Sequence, residues 1–213
     1  MGLLWPHVCP ICDGDSGTER VHRACLARIP RARCRAGDPV FACFEDGPHW
    51  FRLLHRWKYG GERGLVATVA DCMTRQAVGS PGAAILVPLP DDPRRRMERG
   101  FSPVEDLAHA LADRTGMAVD PSLLRRVRAT PSQTTCRDDE ARRANVGGAF
   151  GVGDLSRWPR SRPLVLVEDQ VTSGATIREA ARLLGLRGGP VRVWCAARAA
   201  RAPRQLDEDW PRN

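Results

Sequence analysis

Leu164-Val-Leu-Val-Glu168-Asp169-Gln-Val-Thr172-Ser173-Gly174-Ala175-Thr176 is the stretch on which the reading of this 213-residue chain turns. Its run of apolar residues shows no alternation, which suits a strand over 163–167 buried on both faces. Two adjacent carboxylates follow at the C-terminal end, where open α/β sheets bind their ligands. Small hydroxyl residues and a glycine then lead into a helix predicted over 177–186. Backbone N–H groups at such a helix start favour an anion, and Thr172, Ser173 and Thr176 add hydroxyl donors. Carboxylates next to a phosphate cradle would repel the phosphate unless something lay between them. A ribose does so: its hydroxyls reach the carboxylates while its 5′-phosphate sits on the loop. The stretch lacks the Gly-Lys-Ser/Thr ending of a Walker loop, and the same residues also suit a plain strand-to-helix turn.

The flanking sequence repeats the strand, loop, helix alternation of an α/β fold with a parallel sheet. Residues 191–195 read as a further strand. Ala84-Ile85-Leu86-Val87 is a short apolar run ending at Pro88 and Pro90, a strand passing into a loop. Ser102-Pro103-Val104-Glu105 combines a capping hydroxyl, a first-turn proline and a glutamate three places after the cap, so a helix starts there. Trp50, Leu53, Leu54 and Trp57 recur at helical spacing until Tyr59-Gly60-Gly61 stops them, and a second helix is expected over 65–77. Short β-like pieces fall at 123–127 and 148–152. The expected organisation is a small loop-rich unit over 1–45, an α/β domain over 46–200 and a tail over 201–213.

Hydrophobic residues make up 42% and charged residues 27%, values of a globular chain. No apolar run approaches the roughly 18–20 residues that span a bilayer. The first residues lack the basic flank and apolar core of a secretory signal, so the expectation is a cytoplasmic protein without membrane insertion. The net charge is +8 and is spread along the chain, which permits a polyanionic partner without demanding one. Lys58 is the only lysine among 33 basic residues.

Five of the eight cysteines lie within the first 43 positions. Cys9-x2-Cys12 followed by His22-x2-Cys25 has the spacing of paired zinc knuckles, in which four ligands close a tetrahedron around one structural Zn2+. A segment this short buries little, so the metal would supply its folding energy. Cys34 and Cys43 have no such partner spacing and read as free or packing thiols. Redox use of the CxxC is disfavoured because no βαβ pattern surrounds it. His7, His49, His55 and His109 fall in no catalytic constellation.

Residues 164–176 resemble the phosphoribosyl-pyrophosphate (PRPP) motif of type I phosphoribosyltransferases. Val87-Pro-Leu-Pro90 with Arg94-Arg-Arg96 and Arg99-Gly100-Phe101-Ser102, the segment Gln133, Arg143, Asn145-Val146 and Phe150, and Trp57-Lys58-Tyr59-Gly60 narrow the likeness to the ComF family. The N-terminal cysteine unit is also typical, although His22 stands where relatives usually carry cysteine. Glu168, Gln170 and Ser102-Pro103 likewise depart from the usual ComF residues.

The resemblance implies a phosphoribosyltransferase-type parallel sheet flanked by helices, preceded by a zinc-binding unit. It implies Glu168 and Asp169 on the ribose hydroxyls of PRPP, with Thr172, Ser173, Gly174, Ala175 and Thr176 around the 5′-phosphate. Arg94, Arg95, Arg96, Arg99 and Gly100 would hold the pyrophosphate, with Mg2+ accompanying it, and Arg142 and Arg143 would belong to a mobile flap. Three roles stay open. One is a natural-competence factor in DNA uptake that binds single-stranded DNA, with Trp5, Trp50 and Trp57 as stacking surfaces, although helical spacing favours a core role for Trp50 and Trp57. Another is a working transferase in nucleotide salvage or synthesis. The third is a scaffold for a DNA-translocating helicase.

Overall fold

The computed structural model describes residues 7–35, 38–77, 83–128, 146–186 and 188–199. Trp5, the tail 201–213, and Gln133, Arg142, Arg143 and Asn145 lie outside the described residues. The described chain runs α1 (Arg23–Ala27), β1 (Val40–Glu45), α2 (Pro48–Tyr59), α3 (Leu65–Gln76), β2 (Ile85–Pro88), α4 (Pro93–Arg99), α5 (Pro103–Thr115), β3 (Ala118–Val119), β4 (Leu124–Arg126), β5 (Phe150–Val152), β6 (Leu164–Val171), α6 (Ala175–Gly185) and β7 (Val191–Arg198).

Five strands form one sheet in the order β1-β7-β6-β2-β3, and every pairing in it is parallel. The expected α/β architecture with a parallel sheet is therefore present. Parallel neighbours need crossovers: α5 carries the chain from β2 outward to β3, and α6 carries it from β6 the opposite way to β7. Right-handed crossovers running in opposite directions place their helices on opposite faces. Accordingly α3 and α5 pack on each other, while α6 packs against β6 and β7. The loops leaving β2 and β6 thus part from each other, and a crevice opens between them at the C-terminal edge of the sheet.

The core sits on the central strands, where Ile85, Leu86, Val87 and Leu164 to Val167 are wholly buried. The helix expected from Trp50, Leu53, Leu54 and Trp57 is α2, and all four side chains are buried. Ser102 caps α5 by accepting a hydrogen bond from the Glu105 backbone N–H at 3.1 Å, with Pro103 in the first turn. The β-like pieces pair antiparallel as β4 and β5.

Two elements differ from the sequence reading. Residues 40–45, counted there with the loop-rich unit, are the sheet's edge strand β1, paired to β7 from Val40↔Val193 to Glu45↔Arg198. Its short run lies among arginines, glycines and prolines, and only β7 reveals its register. The preceding segment covers its free edge: Arg31 bridges Phe44, the Ala32 N–H donates to the Cys43 carbonyl, and the Glu45 N–H donates to the Pro30 carbonyl. The second difference is that the arginine-rich loop after β2 contains the helix α4. Asp92 caps it, accepting from the Arg94 N–H at 3.0 Å, and Gly100 closes it at φ 73°. No apolar side chain of α4 is buried, Met97 being exposed, so no apolar periodicity marks it.

Candidate functional site

Residues 168–171 extend β6 past the end of β2, whose last residue, Pro88, pairs with Val167. The acidic pair therefore lies on a strand, beyond the point where β2 has ended. The expectation placed it just after a strand ending at 167. Asp169 is buried, with 6% of its side chain exposed, and its Oδ2 lies 2.5 Å from Nζ of Lys58 on α2. Oε1 of Glu168 accepts the Asp169 backbone N–H at 2.8 Å. Burial first, and then the Asp169 charge, push the Glu168 carboxyl well above the usual carboxylate range.

The loop after β2 brings a third carboxylate. Asp91 lies 3.6 Å from Nη1 of Arg99, whose side chain is buried. Burial raises the Asp91 carboxyl, Asp169 raises it further, and Ser102, Arg99 and Lys58 partly oppose them. Oδ2 of Asp91 is buried without a hydrogen-bond partner among the described residues. Arg126 on β4 stands over the Phe150 ring at 5.0 Å and is close enough to feel Asp92, Glu168 and Asp91. The crevice thus gathers Asp91, Glu168 and Asp169 with Lys58, Arg99 and Arg126.

Beyond β6 the chain turns through Thr172, Ser173 and Gly174 into α6. Gly174 is the N-cap residue at φ 74°, a left-handed conformation that costs other residues roughly 1–2 kcal/mol. Thr172 is exposed and Ser173 is buried. The Ala175 N–H reaches the Ser173 hydroxyl at a long 3.4 Å, and the Ser173 carbonyl accepts from Arg178 at 3.0 Å. No acidic side chain stands in the first turn of α6. Residues 172–176 thus present a helix N-terminus next to the acidic pair.

The arginines of α4 do not act alike. Arg94 and Arg95 are exposed on its surface. Arg96 makes a two-pronged bond with Glu105, at 2.7 and 2.8 Å. Arg99 turns inward beside Asp91, donates to the Tyr59 hydroxyl at 2.9 Å and stacks on its ring at 4.8 Å. Of the four, Arg99 is the one whose charge is built into the crevice.

The N-terminal ligand set comes together. The ligand atoms of Cys9, Cys12, His22 and Cys25 all lie within 4.8 Å of one another. Nδ1 of His22 is 3.3 Å from Sγ of Cys12 and 4.0 Å from Sγ of Cys25. A tetrahedral zinc site has edges of about 3.3–3.8 Å, given bonds of about 2.0–2.3 Å. Nε2 of His22 lies 2.9 Å from the Asp15 carbonyl. That oxygen can only accept, so the proton sits on Nε2 and the Nδ1 lone pair faces the thiols. Burial pushes the Cys25 thiol up to about 11, while the Gly14 backbone N–H and the Cys25 thiol draw Cys12 down. This donor set can hold a metal ion such as zinc. Cys34 and Cys43 stand apart from it: Cys34 takes the Ala42 N–H at 3.3 Å, and Cys43 is buried against Gln76 and Arg31.

Lys58, Asp91 and Arg126 belong to the crevice although the sequence reading gave none of them a site role. Lys58 carried a signal, as the one lysine in an arginine-rich chain. Asp91 and Arg126 carried none, because a long-range approach alone brings them in.

No family model matches the chain. The chain is 30% identical over 215 residues to the DNA utilization protein YhgH of Salmonella typhi, covering 90% of each. Identity to the DNA utilization protein YhgH of Escherichia coli (strain K12) is 26% over 209 residues, again 90% of each. Competence protein F of Haemophilus influenzae is 28% identical over 179 residues, 74% of this chain and 77% of its own. Among solved structures, a hypoxanthine phosphoribosyl transferase of Trypanosoma cruzi superposes with a TM-score of 0.37 at 15% identity, covering 68% of each chain. None of the described helices is long and apolar enough to cross a membrane. With this crevice, this cysteine–histidine cluster and relatives matching along 90% of their length, the chain belongs to the ComF family, together with the DNA utilization protein YhgH and competence protein F.

Proposed function

We propose that the crevice binds PRPP or another 5-phosphoribosyl group and that the protein serves DNA uptake or DNA utilization in the cytoplasm. The observation that carries the reading is the station of Asp169: buried, on β6 beyond the end of β2, immediately before a glycine-started helix. Glu168 and Asp169 take the ribose hydroxyls, and residues 172–176 take the 5′-phosphate. Arg99 of α4 faces the pyrophosphate from within, while Arg94, Arg95 and Arg96 with Gly100 form the outer side.

Mg2+, a cation that takes oxygen ligands, fits the site because Oδ2 of Asp91 is a buried acceptor without a partner among the described residues. Asp91 and Asp169 are the residues that would hold it. It would neutralise charge on the pyrophosphate. At the N-terminus Cys9, Cys12, His22 and Cys25 hold structural zinc. Calorimetric titration of the metal-loaded protein with PRPP and Mg2+ tests the reading: saturable binding of one ligand per chain is expected, and its absence overturns the site.

The relatives' names connect the family to DNA, and exposed Arg94 and Arg95 offer phosphate contacts for a single strand. Anisotropy of a labelled oligonucleotide across a salt series tests this, with log K falling by about 0.7 per phosphate neutralised. Replacing Arg94 and Arg95 together should flatten that slope. A helicase partner and a transferase reaction, displacing pyrophosphate at the anomeric carbon, are further readings of the same site. Pyrophosphate release with a panel of bases and amines tests the second.

A further inference from the structure

α2 touches both functional regions. Nη1 of Arg52 donates to the Ile11 carbonyl at 2.8 Å, and Arg52 and Arg56 lie 3.8 and 3.1 Å from the Asp13 carboxylate. Ile11 and Asp13 flank Cys12, one of the four candidate metal ligands. Asp13 is itself at φ 59°, the one described non-glycine residue with positive φ. Aspartate tolerates this left-handed conformation better than most residues, and two arginines of α2 hold its carboxylate. Arg56 also reaches Glu62 at 3.5 Å, in the turn before α3. Next to that turn, the missing Cβ of Gly64 leaves the space filled by the Arg20 guanidinium. Cys9, Ile11 and Val21 belong to the same apolar cluster as Trp50 and Trp57.

At its other end the same helix offers Lys58 to Asp169 and Tyr59 to Arg99. Arg52 and Lys58 are separated by about 9 Å along the axis at 1.5 Å per residue. A helix held by the buried side chains of Trp50, Leu53, Leu54 and Trp57 would move as a body, so a shift at the knuckle would be carried to the crevice. Asp169 lies close enough to Asp91 and Glu168 for its charge to act on both, so its station bears on the whole cluster. Lys58 holds Oδ2 of Asp169 in place beside Asp91 and Glu168.

We propose that Lys58 is a positioning residue for Asp169 and that the metal knuckle sets its station through Arg52 and Arg56. Metal occupancy then raises affinity in the crevice, and by reciprocity crevice occupancy raises affinity for the metal. The proposal rests on the phosphoribosyl reading only for the identity of the crevice ligand.

The single lysine makes the test direct. Full-length protein labelled with 15N-lysine gives one side-chain ammonium signal. Its ion pair with Asp169 slows proton exchange, and Asp169→Asn, by erasing the signal, assigns it. Stripping the metal with a chelator should erase it too. An R52A/R56A variant, shown by elemental analysis to keep one metal per chain, should lack the signal even when loaded. A signal unchanged by stripping overturns the proposal, and so does a double variant that behaves as wild type. PRPP titration adds a second readout: Lys58→Arg should stay within threefold of wild type, and Lys58→Met and R52A/R56A should each lose at least tenfold. Lys58→Met binding as wild type also overturns it. If PRPP fails to bind wild type, the phosphoribosyl reading falls while the lysine signal still decides the coupling.

Discussion

Nζ of Lys58 and Oδ2 of Asp169 stand 2.5 Å apart, with 17% and 6% of their side chains exposed. Removing one member of a buried pair strands the other charge, a loss of about 3–5 kcal/mol. Lys58→Met should therefore destabilise the protein by that order in urea unfolding. A Lys58→Met/Asp169→Asn double variant should recover much of the loss, giving a coupling energy above about 1 kcal/mol. Additive single effects would show that the pair does not interact.

Cys12→Ser removes one of four gathered ligands. Purified wild-type protein should contain one zinc per chain and the variant markedly less. Because Arg31 and Ala32 cover the edge of β1, the variant should also show faster amide exchange at 40–45. A wild type without metal, or a variant with full metal, contradicts the assignment.

Gly174 opens α6 at φ 74°. Gly174→Ala should cost about 1–2 kcal/mol of stability and weaken binding of ribose 5-phosphate, as the residue turns the α6 N–H groups toward the crevice. Isothermal titration reads the binding effect. Retained phosphate affinity would place the anion elsewhere.

Glu168 has a pH signature. Its folded carboxyl is raised well above the ordinary value, chiefly by burial. Above the unfolded value of about 4.3 the folded state then holds a proton that the unfolded state has released. This contribution to stability is therefore largest at acid pH and declines as pH rises toward the raised folded value. Glu168→Gln carries no charge to bury, so it should flatten the decline and raise the midpoint at neutral pH. Thermal melts of both proteins from pH 5 to 8 check this, and parallel curves contradict it.

The sheet's buried strand and the hydroxyl–glycine turn were legible because both are local patterns: Leu164 to Val167 without alternation, then Thr172 to Thr176. The metal set was legible from spacing alone, since Cys9, Cys12, His22 and Cys25 lie close in the chain. α4 was not, because no apolar side chain of it is buried and its start and stop are capping chemistry at Asp92 and Gly100. β1 was hidden for the converse reason: its partner, β7, is some 150 residues away in sequence (Ala42↔Cys195). The crevice depends most on long-range order. Lys58, Asp91, Arg126 and Asp169 come from α2, the loop after β2, β4 and β6, and no sequence period links them.

In the proposed site Asp169 anchors a ribose phosphate in the crevice between β2 and β6. Calorimetric titration of PRPP with Mg2+ into wild type, Asp169→Ala and Asp169→Asn tests it most directly, with circular dichroism confirming that each variant is folded. Saturable wild-type binding is expected, weakened in both variants by about 1–3 kcal/mol, or roughly 5- to 150-fold. Equal affinity in all three proteins, or no binding to the wild type, would contradict it.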